Sequence, residues 1–509
     1  MDSFLQNYWS VYLDYLQDFE SLEYLGFSLP FLCHLPSYLL PKPSLLTQIE
    51  KMDRKHLRNH VQNQKEIQTV FNQFVATHTK PKRRVENGKV VLHVDKLLRF
   101  PPSTMQSHFD RKKTILLINS NGPKQKQVKP SLKTQSPRTY RAKTEGKAIP
   151  LTNTVRVSKS KLKGKSRSNY RVTQNMLTYY LQNYTGEVES AIKEAQQKAR
   201  QILAGFKNHP IYSDPAFQKW LLNNILVVIR QISAAVGFLK RVPVSCLVVS
   251  TTHSYVSRIL SIVAAEKGIP SICMQHGIIS SELGYIPKIA TVDAVYGNYE
   301  KEFYLNLGAP KGSVEVIGHP RFDERFNTKV VRRATFDKKL GLNPRRKNVM
   351  IALRGEDDIN RWRILIKKID RKLKVNILIK NYPSKQPHIL TKEFRHVYST
   401  GSYGLYDIFP NVDAVVTYSS TVGLEAMLHG KPVFVLNKSF RGFTGYYHLL
   451  DQLEQTSPGV LANIIIKYFS DAKFRHYTDK IRKSFLSKAY SIQSSSGERL
   501  KTLIKRLTK

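Results

Sequence analysis

The chain has 509 residues, and its 81 Lys and Arg against 38 Asp and Glu give a formal net charge of +43. An apolar fraction of 41% excludes a wholly disordered protein, and the length predicts two core-bearing domains. The charge predicts attraction to polyanions or to an anionic membrane face. Three scattered cysteines exclude a disulfide framework and favour a reducing compartment.

The first residues, MDSF, carry no basic leader, and no run of eighteen apolar residues occurs. We therefore expect a cytoplasmic protein, with peripheral contact to the inner face of the plasma membrane as an option. Residues 28–40 come closest to a membrane segment. A packed loop and an interfacial contact both remain open for them.

Residues 1–85 have the spacing of amphipathic helices, and residues 89–94 and 114–119 look like buried strands. Residues 121–170 contain fourteen Lys or Arg and one acidic residue, a composition that cannot form its own core. We expect a flexible basic insertion that is either only solvated or binds a polyanion. Its only aromatic residues are two tyrosines, which argues against nucleic acid and favours an anionic membrane surface.

Helical spacing returns over residues 175–206 and 214–239. A strand, a helix and a second strand within residues 244–274 then form a βαβ unit, which implies a parallel sheet covered on both faces. A second alternation covers residues 349–436. The sequence predicts an α/β protein with two facing Rossmann-like domains, divided into a helical N-terminal region (1–85), a first domain (86–330), a second domain (331–475) and C-terminal helices that pack back (476–509).

Residues 413–436 (DAVVTYSSTVGLEAMLHGKPVFVL) carry the most informative pattern, a buried strand that runs through a hydroxyl-rich turn into a helix. The hydroxyls of Ser419, Ser420 and Thr421 meet free backbone N–H groups at the helix start, which predicts an anion site. Glu425, one turn later, is placed to accept hydrogen bonds from a ribose. An ordinary N-cap followed by Glu has the same spacing, so both interpretations stay open.

This segment resembles the donor-binding signature of GT-B-fold transferases that build bacterial capsular polysaccharide and teichoic acid. In those enzymes a strand, an S-S-T-x-G-x-E-A-like helix and a G-K-P-V strand recur. The resemblance extends over residues 244–436. It implies a GT-B-like fold in which the second domain binds a nucleotide-activated donor and the first binds the acceptor.

The segment Gln275-His276-Gly277 is similar to the Q-H-G or W-H-G that these enzymes carry at the end of a βαβ strand. A histidine at the carboxyl end of a parallel strand faces the ligand crevice. The resemblance implies that His276 is the general base that takes a proton from an acceptor hydroxyl, with Gln275 and Gly277 beside the cleft. A lone histidine is, however, more often structural.

Residues 316–323 (VIGHPRFD) are similar to the V-x-G-x-P-x-x-D at which the chain of these enzymes leaves the first domain. Gly318 and Pro320 suit a fixed interdomain turn. His319 or Arg321 would then face the cleft, although a structural role is favoured for both. Two further residues are cleft candidates: His253, with packing as its alternative, and Glu282, which either orients His276 or begins a turn.

Arg354 follows the first strand of the second domain, where loops reach a donor's phosphates. Lys380 stands in IKNYP, where glycerophosphotransferases place a histidine in H-P. It can neutralise a phosphate, but without a large depression of its pKa it cannot replace that histidine as acid or base near pH 7. The Q-H-G is followed by IISSEL rather than T-P-x-K, which favours a sugar donor over CDP-glycerol. Residues 356–358 contain no D-x-D, so we expect no metal site and no cofactor.

These observations predict an inverting, metal-independent glycosyltransferase that moves a sugar from a nucleotide-sugar donor to a cell-surface polysaccharide or lipid-linked glycan. The donor would be held by Arg354, Lys380, Ser419, Ser420, Thr421 and Glu425. Three alternatives remain: a CDP-glycerol glycerophosphotransferase, a GT-B-like sugar epimerase, and an inactive protein that binds polyanions or membranes.

Overall fold

The computed structural model describes residues 1–121, 176–326, 331–382, 384, 386–492 and 494–509. The predicted basic insertion at 121–170 lies outside the described residues except for Asn121. Two parallel sheets, one of seven strands and one of six, form the centres of two α/β domains. The predicted GT-B-like fold with two Rossmann-like domains is confirmed.

The N-terminal region packs onto the first domain and shares its hydrophobic core. Its first helix buries aromatic side chains such as Trp9 and Tyr12. Residues 28–40 lie in this core too, where Leu29 and Leu39 are fully buried, so the structure shows the packed alternative for this segment. The elements are α1 (Ser3–Asp18), β1 (Glu23–Tyr24), β2 (Phe27–Ser28), α2 (Leu29–Leu32), α3 (Pro36–Leu39), α4 (Pro43–Glu50) and α5 (Gln64–His78).

The first sheet has the strand order β5-β4-β3-β6-β7-β8-β9, and all its pairs are parallel. The order reverses between β3 and β6, the topological switch point at which such sheets bind ligands. Its strands are β3 (Lys89–His93), β4 (Thr114–Ile118), β5 (Leu177–Tyr180), β6 (Val244–Val249), β7 (Ser271–Met274), β8 (Val292–Val295) and β9 (Val314–Val316).

Five helices belong to this sheet: α6 (Pro102–His108), α7 (Glu189–Ala204), α8 (Pro215–Arg241), α9 (Tyr255–Glu266) and α10 (Asn298–Asn306). The helix predicted from residue 175 is wrong at its start, because residues 177–180 pair with β4 as the edge strand β5. Among the described residues α8 alone has the length and hydropathy of a membrane span. The most apolar 18-residue stretch of α8 is 56% buried, and the helix packs on α7 and α9. Both observations are expected for a core helix.

The second sheet has the order β12-β11-β10-β13-β14-β15 and reverses between β10 and β13. Strands β12 and β15 were not predicted. The strands are β10 (Lys347–Arg354), β11 (Val375–Tyr382), β12 (Val397–Ser399), β13 (Ala414–Thr417), β14 (Val433–Leu436) and β15 (Glu454–Gln455). The helices are α11 (Arg333–Leu340), α12 (Ile359–Lys372), α13 (Leu390–Glu393), α14 (Leu405–Ile408), α15 (Thr421–Leu428) and α16 (Pro458–Ser470).

Two C-terminal helices, α17 (Ala472–Ala489) and α18 (Ser496–Thr508), connect the domains. Helix α17 contacts α15 and α16 of the second domain and α10 of the first. Helix α18 returns to the first sheet, where Leu500 and Leu503 pack with Leu92 and Val248. Asp323 fixes the start of α18 by accepting hydrogen bonds from the Ser496 and Gly497 backbone N–H groups at 3.0 and 2.9 Å.

Candidate active site between the two sheets

The turns that follow β7 and β13 touch each other across the domain interface. The Ile278 backbone N–H donates to the Thr421 hydroxyl at 3.3 Å. A Cβ atom on Gly277 would lie 3.2 Å from the Tyr285 hydroxyl and 3.5 Å from that of Thr421. The Q-H-G and S-S-T segments are therefore neighbours at the carboxyl edges of the two sheets, although the bonded residues Ile278 and Thr421 are 143 residues apart in sequence.

His276 lies in this contact zone, and its ring stacks on that of Tyr285 with centroids 5.0 Å apart and planes at 11°. The Tyr285 hydroxyl in turn donates to the Ile278 carbonyl at 3.1 Å. Burial and, to a smaller extent, the Arg99 and Arg321 cations together lower the pKa of His276 to about 4, while Asp95 opposes them. His276 is thus neutral at pH 7, with a free lone pair for a proton.

Gln275, predicted to lie beside the cleft, holds the backbone around His276. Its buried amide donates to the Gly277 carbonyl at 2.7 Å and to Glu300 at 3.2 Å, and it accepts from the Tyr296 N–H at 2.8 Å. Burial raises the pKa of Glu300 to about 7. Gln275 therefore shapes the turn that presents the histidine.

Ser420 is the N-cap of α15, and its hydroxyl accepts from the Val422 N–H at 3.3 Å. The next two N–H groups also have partners: that of Gly423 bonds to the Ser420 carbonyl, and that of Leu424 to the Tyr447 hydroxyl at 3.1 Å. The capping alternative is thus realised in this structure. Donor contacts from the hydroxyls remain a prediction.

Tyr447 also explains the glycine of the signature. A Cβ atom on Gly423 would lie 2.5 Å from the Tyr447 hydroxyl, inside contact distance. The same hydroxyl donates to the Ser420 carbonyl. Gly423 therefore lets Tyr447 reach and fix the backbone at the start of α15.

Glu425, the predicted ribose ligand, forms a buried ion pair across the interface with Arg321, at 3.1 Å. Both side chains are about a tenth exposed, at 11% and 9%. The Arg321 carbonyl accepts from the Tyr406 hydroxyl at 3.2 Å. Of the two cleft candidates in VIGHPRFD, Arg321 is thus the one that reaches the second domain.

His319 is buried inside the interdomain turn and has a structural position. Its Nδ1 accepts from the Arg321 N–H at 3.1 Å, and its own backbone N–H donates to the Tyr490 hydroxyl at 3.1 Å. Burial and the nearby Arg321 lower its pKa well below the ordinary value. Gly318, at a φ of +74°, lets Tyr490 approach, since a Cβ there would lie 2.4 Å from its hydroxyl.

Glu282 does not orient His276. Its carboxylate accepts from the Trp9 indole at 3.0 Å and from the Gln64 amide at 3.0 Å, so it joins the first domain to the N-terminal helices. Burial raises its pKa. Glu282 is also the first residue of the short 3₁₀ helix Glu282–Gly284. This agrees with the alternative from the sequence, in which Glu282 begins a turn. His253 lies with His276 on the wall of a small enclosed gap.

On the predicted donor side, in the second domain, Arg354 is exposed at the end of β10, and Lys380 donates to the Tyr403 carbonyl at 2.5 Å. The structure also brings to this part of the candidate site residues that follow β14 and that the sequence did not single out. The side-chain oxygen of Asn437 accepts from the Ser419 hydroxyl at 2.8 Å, and the backbone carbonyl of Asn437 accepts from the Arg361 guanidinium at 2.7 Å. The sequence signal was a polar N-K pair directly after the apolar run VFVL.

The donor side is also rich in cations. Lys438 pairs with Asp358 at 3.0 Å beside Arg361. His388, a second residue that the sequence reasoning missed, bonds to the Gly355 carbonyl at 2.9 Å and accepts from the Leu390 N–H at 3.3 Å, which fixes the loop after β10. Within the described part of the chain, no group of three His, Cys, Asp or Glu side chains is placed to hold a metal ion.

Two parallel-sheet domains whose turns after β7 and β13 meet at the carboxyl edges of the sheets define a protein of the GT-B-like class. Residues 370–474, in the second domain, match the family described as Capsule polysaccharide biosynthesis protein. The resemblance predicted from the sequence to transferases of capsule synthesis is therefore confirmed, and the match supports a glycosyltransferase. No curated protein is significantly similar in sequence.

Several solved structures share the general fold. The wall teichoic acid polymerase TagF has 12% identity over 87% of this chain and 93% of its own, with a TM-score of 0.43. A glycosyltransferase from Rickettsia africae has 9% identity over 83% and 100%, with a TM-score of 0.47. Anabaena Alr3699/HepE, solved with UDP and glucose, has 10% identity over 82% and 100%, with a TM-score of 0.45. At these values the similarities carry no argument about substrate.

Proposed function

We propose that the chain is an inverting, metal-independent glycosyltransferase that moves a sugar from a nucleotide-sugar donor to a surface polysaccharide or a lipid-linked glycan. The observation that carries the proposal is the 3.3 Å contact between Ile278 N–H and the Thr421 hydroxyl. It brings His276 of one domain close to the start of α15 in the other, which supports a shared cleft for the proposed base and the proposed diphosphate site.

The proposed reaction is a single displacement. The acceptor hydroxyl loses its proton to His276 as its oxygen bonds to the anomeric carbon from the face opposite the donor phosphate. The bond between the anomeric carbon and the phosphate oxygen breaks, and the nucleoside diphosphate leaves. Binding both substrates in one cleft supplies the proximity, and the exclusion of water strengthens the electrostatic interactions.

Cations on the donor side would offset the charge of the leaving group. Arg354 is exposed at the switch point of the second sheet, and Lys380 lies in the neighbouring strand β11. A bound diphosphate would also counter the effect of Arg99 and Arg321 on His276, raising its pKa from about 4 toward the range in which a base works efficiently at neutral pH. The donor would thus activate its own base.

Glu425 would bind the ribose while it is paired with Arg321. The ribose hydroxyls would then either share the Glu425 carboxylate with Arg321 or displace Arg321 from it. We further propose that the enzyme works in the cytoplasm at the inner membrane face, where a lipid-linked acceptor would be found. Residues 121–170 would supply the membrane contact through their positive charge.

The direct test incubates the full-length protein with UDP-, GDP- and CMP-linked sugars and with CDP-glycerol, and identifies the released nucleotide. Release of UDP or GDP with inversion at the anomeric carbon, unaffected by EDTA, is the expected result. Release of CMP from CDP-glycerol would identify a glycerophosphotransferase. Interconversion of the donor sugar without an acceptor would identify an epimerase, and binding of donors without turnover would leave only a binding protein.

A further inference from the structure

Arg258, on α9, is a fully buried arginine whose hydrogen bonds among the described residues go to neutral oxygens, and its guanidinium lies over the Phe71 ring, 5.4 Å from the centroid. Its Nε donates to the Thr252 carbonyl at 3.2 Å, and one terminal nitrogen donates to the Tyr12 hydroxyl and the Phe31 carbonyl, both at 3.0 Å. The other terminal nitrogen, with two N–H donors, has no partner in the described part of the chain. A buried cation without a counter-charge is costly.

Further unpaired polar groups surround this guanidinium. The Tyr8 hydroxyl and both ring nitrogens of His34 and His253 are buried without a hydrogen-bond partner among the described residues. The two histidine rings are 5.6 Å apart, and the Arg258 charge acts on both rings and on Tyr8. The Tyr285 backbone comes close enough to His253 to affect its pKa, without a hydrogen bond of normal geometry.

Among the described residues no carboxylate accepts a hydrogen bond from Arg258, although the charge of Glu282 acts on Tyr8. Burial raises the pKa of Cys33 to about 12, so it stays a neutral thiol. Burial likewise raises the pKa of Tyr12. Glu282 is held by Trp9 and Gln64. His34 is nevertheless kept in place at a left-handed φ of 50°, a conformation that a non-glycine residue holds only when its surroundings impose it.

We propose that Arg258, His34, His253 and Tyr8 form a buried binding site for a small inorganic anion of the size of chloride. The anion would accept hydrogen bonds from the free N–H groups of Arg258, from one N–H of each histidine and from the Tyr8 hydroxyl. The small size follows from burial, because the side chains of Arg258 and Tyr8 have no exposed surface and His34 is only 6% exposed.

The anion would link three layers of the first domain: α1 through Tyr8, the loop between α2 and α3 through His34, and α9 through Arg258. Binding of the anion would also fix the position of the His253 ring. Because His253 and His276 line the same gap, it would thereby restrain the wall of the cleft. The site is independent of the proposed transferase chemistry. It predicts that small anions stabilise the protein even if no donor is ever turned over.

The test compares thermal unfolding of the full-length protein in sodium chloride and in sodium gluconate, an anion too large to enter, at equal ionic strength. Chloride should raise the midpoint by about 1–2 °C more than gluconate at ten times its Kd. The extra shift should disappear in Arg258→Met and persist in Arg230→Met, an exposed arginine on α8 that controls for general screening. Equal midpoints in the two salts for the wild type would overturn the proposal.

A crystal of the wild type soaked in sodium bromide supplies a readout that does not depend on folding of the Arg258 variant. An anomalous peak between Arg258 and His34 is expected. Ordered water at that position, with no anomalous signal, would show that water alone satisfies these groups and would also overturn the proposal.

Discussion

Arg321 and Glu425 form an ion pair, 3.1 Å long, that joins the interdomain turn to the helix following the donor-side strand. Replacing Glu425 by Gln leaves the Arg321 charge buried and unpaired, so we expect a loss of about 3 kcal/mol in the free energy of unfolding. Urea denaturation measures it. The double variant Arg321→Met/Glu425→Gln should regain part of that loss, because neither charge is then left alone.

The exposed pair of Arg363 and Glu393 is the matched control. Removing Arg363 should change stability little, since water screens both groups. If Glu425→Gln and Arg363→Met lost equal stability, the interdomain pair would contribute no more than a surface contact.

Replacing His276 by Ala removes the proposed base. Turnover should fall by about 10²–10⁴-fold while the Kd for the donor stays near the wild-type value, because the base acts on the acceptor hydroxyl. Steady-state kinetics and calorimetric donor titration separate the two effects. His476→Ala, an exposed histidine on α17, is the control. A His276 variant with normal turnover would exclude it as the base.

Ser420 and Ser457 allow the cap and donor roles to be separated, because each is the N-cap of a helix. Either change to Ala should destabilise the protein by about 1 kcal/mol, the ordinary cost of a lost cap. Only Ser420→Ala should also weaken donor binding, because Ser420 caps α15, the helix of the proposed diphosphate site, whereas Ser457 caps α16. Equal donor affinity in the two variants would mean that Ser420 is a cap and nothing more.

The pKa of His276 predicts how stability changes with pH. Between the ordinary value of 6.5 and the folded value of about 4, the unfolded chain binds a proton that the folded chain does not. The free energy of unfolding should therefore fall as pH is lowered from 6.5 to 4, with a contribution from His276 of about 3 kcal/mol.

Glu300 acts in the opposite sense, because its pKa is raised from 4.5 to about 7 and its contribution is lost as pH rises through that range. The difference between the wild type and His276→Gln isolates the histidine. Urea denaturation at pH 7, 6, 5 and 4 should show a shallower acid loss in the variant. Parallel curves would contradict the low pKa of His276.

The alternation of strands and helices was predictable because buried parallel strands are continuous apolar runs, as in VSCLVV of β6 and AVVT of β13. The edge strands β5, β12 and β15 were missed for a physical reason. They are short, and two of them are only partly buried, as in the LTYY of β5. Their strand character comes from pairing with a neighbour rather than from local sequence.

In the candidate site, the sequence led to the two turns but not to the partners of their side chains. Glu282 was placed near His276 because six residues separate them, yet its carboxylate faces Trp9, which is 273 residues away. The Arg321–Glu425 pair spans 104 residues. Such contacts depend on how the domains pack, which local patterns do not encode.

Helix α18 follows the whole second domain in the chain, yet Leu500, Leu503 and Ile504 cover one face of the first sheet. During synthesis the first domain emerges early with that apolar face still open to water. It acquires its cover only after residues 496–508 have left the ribosome, so the domain translated first is completed last. An interval in biosynthesis follows from this order, during which the uncovered sheet is prone to aggregate.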